Sequence, residues 1–243
     1  MGTVFTKFRR ETYQSTDEVW RYMDFTKFVD MLDSSCLYFP RLTVLRELDP
    51  YEGSFMPFLS LKREDNESRK TLRQLDKSVA STTFVNSWYL SGVESAALWR
   101  LFLKSDEGIA IKSTIDRLGK SIAGAGWEYT VWIGSVTYGH GRVEEGKAKG
   151  PRTFSGDDAV FTKRACFEHE KELRLVIYEH DLAKPIARGQ TGLKVPVDIS
   201  SLISEVVVSP EAPRWMKNLV ERVLKKYGHS LAVRQSTLNE LRC

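Results

Sequence analysis

The chain has 243 residues, with 36 Lys and Arg against 32 Asp and Glu, a formal net charge of +4 and 42% hydrophobic residues. These values belong to an ordinary folded protein and exclude a globally disordered chain, in which low hydrophobicity and high net charge occur together. No run approaches the roughly 18 apolar residues of a membrane span, and the scattered Cys36, Cys166 and Cys243 form no CxxC pair or disulfide framework. The expectation is a cytoplasmic, reducing setting, with no signal peptide over residues 1–10.

In chain order, residues 19–23 are aromatic and apolar and predict a strand. Asp24 or Thr26 then caps a helix to about Ser34, with Phe25, Phe28, Met31 and Leu32 at helical spacing. Residues 37–39 predict a short strand, and 46–53, with Pro50 and Gly53, a turn. The charged stretch 63–77 predicts an exposed helix or loop, and the β-branched and aromatic residues 82–88 a strand. Ser91 and Glu94 read as a capping box before an apolar run to Leu103. A strand over 108–111 precedes a helix capped by Ser113 and running to about Ala123. Residues 127–138 predict one long strand bent at Gly134. The basic, glycine-rich 139–156 predicts a loop, and 157–170 a helix. Strands follow over 173–178 and 203–208. The clearest helix is 213–227, with Pro213 at its start and Gly228 placed to end it. Helices and strands mix without strict βαβ alternation, which predicts an α+β fold.

The densest polar stretch holds Lys163 and Arg164, then Phe167, Glu168, His169, Glu170, Lys171, Glu172, Leu173 and Arg174. If the backbone is extended from Glu170, then Glu170, Glu172 and Arg174 share one face and Leu173, Leu175 and Ile177 the other. Three ionisable groups on a buried face are costly unless they pair or meet a ligand. A solvated charge run at a helix end is the alternative. A second cluster joins Arg21 and Tyr22 to Tyr38 and Arg41; guanidinium forks suit phosphates and aromatic rings offer stacking faces. Core aromatics with snorkelling arginines read equally well from composition. Asp49, Glu52 and the intervening Pro50 and Tyr51 read as a turn, or as a carboxylate pair near a pocket. The four histidines lack HExxH or HxH spacing, and no GxSxG elbow, Walker loop or strand-borne GxGxxG is present.

Taken in order, these pieces resemble the bacterial domain-of-unknown-function family 2971. The matching residues are Tyr22-Met23-Asp24, Leu37-Tyr38-Phe39, Asp49-Pro50 with Glu52-Gly53, Ser87-Trp88, Glu94-Ser95 with Trp99, residues 108–111, and Lys163 with Phe167, Glu170, Glu172 and Arg174. The resemblance covers roughly residues 18–178, leaving a strand–helix extension over 193–243 within a single expected domain, 1–243. Phe167 and Phe102 stand where tryptophan and tyrosine are common. Some members are similar to abortive-infection proteins, which implies a phage-defence toxin and an antitoxin or regulatory partner.

A more remote resemblance is to ADP-ribosyltransferases, with an early Arg, then aromatic residues, then Glu-x-Glu late in the core. It implies two packed β-sheets with flanking helices and NAD as substrate. It implies Glu172 stabilising positive charge on the ribose, Glu170 acting on the acceptor, and Arg21, Tyr22, Tyr38, Arg41 and Arg174 binding NAD or fixing the carboxylate. The acceptor is a nucleic acid or a protein, and the loop 139–156 would contact phosphates. No metal and no membrane partner is expected. Two rival readings stand beside it: a nuclease holding a divalent metal with Asp49, Glu52, Glu170 and Glu172, and a non-catalytic sensor whose charges form an internal ion network.

Overall fold

The computed structural model describes residues 5–7, 13–54, 66–103, 105–127, 129–139, 159–184, 186–187 and 189–239. The fold is α+β. Its strands are β1 (Phe5–Lys7), β2 (Glu18–Asp24), β3 (Cys36–Pro40), β4 (Thr83–Leu90), β5 (Gly108–Thr114), β6 (Val131–Ser135), β7 (Thr137–Gly139), β8 (Thr162–Arg164), β9 (Glu172–Tyr178), β10 (Gly192–Pro196), β11 (Glu205–Val208) and β12 (Val233–Gln235). Eight of them form one mixed sheet in the order β1-β6-β9-β4-β2-β5-β11-β12. Its outer pairs β1–β6 and β11–β12 are parallel, and the inner pairings are antiparallel. The other pairs are small: β3–β10 antiparallel and β7–β8 parallel. The architecture is thus a large mixed sheet with small second sheets and flanking helices, in line with the expected α+β fold.

The two faces of the large sheet are covered differently. Along β9, Leu173, Leu175 and Ile177 enter the main core with Val19, Met23, Trp88, Ile109 and Ile111. The helices α1 (Phe25–Ser34) and α2 (Ile115–Gly124) and the helix Arg214–Lys226 close that face through Phe28, Met31, Leu118, Ile122, Met216, Val220 and Leu224. On the other face lie two smaller apolar clusters. One holds Leu42, Ala80, Val85, Val160, Phe161 and Val176. The other holds Trp20, Tyr22, Leu98, Trp99, Ala110 and Val207. Every residue of β9 is buried; one side is wholly apolar, while the other carries Glu172 and Arg174 followed by Val176 and Tyr178, and both sides are dry.

Local details depart from the sequence reading where two candidate caps stand side by side. The helix Ala96–Phe102 is capped by Ser95, whose side chain accepts the Leu98 amide, instead of by Ser91. Glu94 instead accepts the Trp99 indole and the Ser236 hydroxyl. The helix α2 is capped by Thr114, while Ser113 stays in β5 and donates to the Leu202 carbonyl. The expected long strand over 127–138 is two strands in different sheets. They part at Val136, whose amide bonds to the Glu172 carbonyl while the Thr137 amide bonds to Phe161. The expected helix over 157–170 includes strand β8 and a 3-10 turn, Ala165–Glu170. The charged stretch 63–77 does contain helix, Asn66–Thr82. Of the expected loop 139–156, only Gly139 lies among the described residues.

Candidate functional site

Strand alternation puts Glu172 and Arg174 on the same face of β9. Arg174 has room to lie flat because its cross-strand neighbours are small, Ser87 on β4 and Gly134 on β6. Its Nε donates to Glu172 Oε2 at 2.9 Å, its two terminal nitrogens reach Glu172 Oε1 (3.0 Å), Glu52 Oε1 (2.6 Å) and the Val160 carbonyl (2.5 Å). Glu52 arrives from the Asp49-to-Gly53 turn. That turn is closed by the Glu52 amide on the Asp49 carbonyl and the Tyr51 amide on Asp49 Oδ1.

Lys163, the middle residue of β8, is the second cation. Its Nζ lies 2.5 Å from Glu170 Oε2, 2.9 Å from Glu172 Oε1 and 3.3 Å from Glu52 Oε2. Glu170 does not reach it as part of an extended strand. It ends the 3-10 turn, and Lys171 then takes a left-handed conformation at φ 37°, a region that non-glycine residues enter at a cost of about 1–2 kcal/mol. This kink lets Glu170 and Glu172 approach one ammonium from two directions. Behind them, the Tyr138 hydroxyl accepts the Glu172 amide at 2.8 Å.

Three carboxylates therefore meet two cations in a site where Glu172 is 6% exposed and Arg174 1% exposed. The charge is one negative unit in excess, and the two glutamates divide it unequally. Burial would raise Glu172, but Arg174 and Lys163 outweigh it and hold this carboxyl well below the usual range. Burial, together with the neighbouring Glu172 charge, pushes Glu170 up to about 7 in spite of its Lys163 hydrogen bond. Lys163 is held charged, because Glu172 and Glu52 overcome the desolvation that would lower it. Burial beside the carboxylates raises the Tyr138 phenol, keeping it protonated. One permanently ionised carboxylate and one that exchanges its proton near neutral pH form the acid–base pattern of many reactive sites.

The remaining sequence-derived candidates do not join this cluster. Arg21 shares its face of β2 with Val19 and Met23, the opposite face from Glu172, and donates to the Ser87 carbonyl at 2.6 Å. Burial pulls its guanidinium down to about 10. Tyr22 lies on the Glu172 side of the sheet but accepts the Ser95 amide and packs edge-on against Trp99, ring centroids 4.9 Å apart. Tyr38, on β3, shares a hydrogen bond with Thr191. Arg41 bonds to the carbonyls of Ser81, Gln190 and Ala187, lies 3.6 Å from Glu179, and stacks on Phe84. Two members of the cluster, Glu52 and Lys163, were visible in the sequence as a turn carboxylate and part of a charge run and among the residues of the family-2971 resemblance, but not as candidates for the transferase site. Tyr138 had no sequence signal beyond lying in a strand.

The four acids of the metal-nuclease reading are each committed to a built-in cation: Asp49 to Arg164 at 2.8 Å, and Glu52, Glu170 and Glu172 to Lys163, with Glu52 and Glu172 also to Arg174. Among the described residues, no group of three or more His, Cys, Asp or Glu is arranged to hold a metal ion. Lys163 occupies the place where the carboxylates converge.

No family model matches the sequence, and no curated protein matches it. In fold the chain is similar to Thermus sp. 2.9 DarT solved in complex with NAD+, at a TM-score of 0.44 and 11% identity, covering 93% of this chain and 98% of that one. It is similar to the structure of Thermus sp. 2.9 DarT in complex with ADP-ribosylated ssDNA at a TM-score of 0.45 and 11% identity, covering 93% and 97%. Likenesses this distant assign no residue and no ligand to the chain. Among the described residues, no helix is long and apolar enough to cross a membrane.

Proposed function

We propose that the Glu52–Lys163–Glu170–Glu172–Arg174 cluster is the active site of an ADP-ribosyltransferase that takes NAD as substrate and acts on a nucleic-acid or protein acceptor. The observation that carries this reading is convergence. Residues of the family-2971 resemblance that lie 122 positions apart in sequence, Glu52 and Arg174, meet at 2.6 Å around a carboxylate pair with one uncompensated negative charge. Cleavage of a nicotinamide–ribose bond builds positive charge on the sugar, as glycoside cleavage does. A water-poor site that holds the Glu172 carboxylate ionised stabilises that charge as it develops.

The division of labour follows from the geometry. Glu172 is ionised throughout the neutral range and supplies the fixed field. Arg174 and Lys163 position it. Glu170 is the proton carrier, taking a proton from the attacking group of the acceptor. The carboxylate half of the site thus fits the chemistry. The phosphate half is not supplied by the cluster's own cations, since Lys163 and Arg174 are both paired with carboxylates. Arg21 and Arg41 stand apart from it. A role as a phage-defence toxin, with an antitoxin or regulatory partner, rests on the family resemblance.

The test is release of free nicotinamide from NAD, read by mass spectrometry, in the presence of a nucleic-acid and protein mixture. Release by the wild type that is lost in Glu170→Gln supports the reading. Glu170→Gln is a cleaner variant than Glu172→Gln, because Glu172 is the principal partner of a buried guanidinium. One observation favours a second reading, the non-catalytic sensor: every oxygen of Glu172 is already bonded within the protein. No release by a folded wild type, with Glu170→Gln changing only stability, selects that reading.

A further inference from the structure

The turn that delivers Glu52 also presents Tyr51 to solvent, 49% exposed. An aromatic ring left this open beside a buried ion cluster gains nothing from burial where it stands. It is nevertheless oriented. The Arg164 guanidinium lies over the Tyr51 ring at 5.2 Å and over the Phe167 ring at 5.2 Å, and Lys163 Nζ lies over Phe167 at 4.5 Å. A ladder of alternating ring and cation therefore runs from solvent at Tyr51 to the ammonium that holds Glu170.

Arg164 has substantial access to water, its side chain 38% exposed. Its carboxylate partner holds it end-on: one terminal nitrogen meets Asp49 Oδ1 at 2.8 Å, while Arg164 Nε and Asp49 Oδ2 are both buried without hydrogen-bond partners. Asp49 is itself 5% exposed. A bidentate clamp would use both of those atoms. The end-on contact keeps one donor and one acceptor uncommitted next to an exposed ring.

We infer that Tyr51 and Arg164 form a nucleotide subsite at the rim of the cluster. Tyr51 stacks on a heterocyclic base and Arg164 takes the adjoining phosphate. An aromatic platform beside a cation is the arrangement that binds unpaired bases without reading their sequence. Two sources share this chemistry: a base of a single-stranded nucleic acid and a base of NAD itself. The inference deepens the proposed function by naming where a nucleotide unit docks. It does not depend on turnover.

The experiment measures equilibrium binding of two probes, a short fluorescent single-stranded oligodeoxynucleotide of mixed sequence and NAD, to wild type, Tyr51→Ala and Tyr51→Phe. Tyr51 is exposed, so both variants keep the fold, and thermal unfolding checks this. Tyr51→Ala weakens one probe by about tenfold, the loss of one base stack, and Tyr51→Phe restores it. Loss for the oligonucleotide places a strand at the rim; loss for NAD alone places the donor there. Equal affinity of wild type and Tyr51→Ala for both probes overturns the subsite, whatever the nicotinamide assay gives. Loss of binding in Tyr51→Ala without nicotinamide release in the wild type leaves the subsite standing and removes the transferase.

Discussion

The same sheet carries two charged clusters, and they are built on different terms. Around Arg174 the charges are dry: Arg174, Glu172, Glu52 and Lys163 are all buried. Further along the same face, Lys112 pairs with Glu18 at 2.7 Å, and Arg234 pairs with Glu94 at 3.2 Å and Glu205 at 3.1 Å. There the side chains of Arg234 and Glu205 are 35% and 28% exposed, and Lys112 and Arg234 also lie over the Trp20 ring. Water screens the second cluster, and its Arg234 pairs fasten β12 to β11 and to the start of the Trp99 helix. Desolvation and an odd charge in the first cluster move a carboxyl group to neutrality. Similar residue types thus make a fastening in one place and a carboxyl group with a raised proton affinity in the other.

The sharpest way to break this contrast is to delete one cation from each cluster. Arg174→Ala strands Glu52 and Glu172 and should lower stability by about 3–5 kcal/mol, as removal of one partner of a buried pair does. Urea unfolding followed by circular dichroism reads this. A loss near zero would mean that the cluster is wet. Next in size is chemistry. Glu170→Gln should reduce nicotinamide release by about a hundredfold or more, the usual worth of a general base, while unfolding stays cooperative.

The pH dependence sharpens the comparison further. The Glu170 proton affinity is raised in the folded protein from the ordinary 4.5 to about 7. The native state therefore holds more protons than the unfolded chain between those values, and stability falls as pH rises through that window. Glu172, held low, stays ionised there and adds no slope. Thermal melts should show Glu170→Gln matching the wild type near pH 5 and exceeding it by a few degrees near pH 8. Nicotinamide release by the wild type should rise through about pH 7 as Glu170 ionises. The smallest effect is expected at the solvated cluster, where Arg234→Ala should cost under about 1 kcal/mol and less in high salt. Melts at low and high ionic strength measure it.

How much of this was legible in the sequence depended on range. Aromatic and apolar content placed β2, and helical spacing with its start and stop residues placed α1 and the helix Arg214–Lys226, all within a residue or two. Alternation likewise put Glu172 opposite Leu173. Choices between adjacent hydroxyls, Ser91 against Ser95 and Ser113 against Thr114, depended on where the neighbouring strand ended, which pairing across the sheet decides. β10 and β12 carry little signal, since each is short and set by its partner. At the site, side chains on one strand could be grouped, but nothing local tells that Glu52 meets Arg174. Nor does it tell that Arg21 and Glu172 take opposite faces. Grouping Arg21, Tyr22, Tyr38 and Arg41 by residue type joined side chains that the sheet separates.

The reach of the Glu52–Arg174 contact has a consequence for the time course of folding. Glu52 comes from a turn, Tyr138 and Lys163 from the β7–β8 ribbon, and Arg174 from the interior strand β9, so the cluster closes only after several long loops have closed. Contacts of such sequence separation form late and slowly. A chain still emerging from the ribosome has no complete cluster until β9 has inserted between β4 and β6. The partly made chain therefore lacks the buried guanidinium, and Glu52 and Lys163 wait for β9 to complete the cluster.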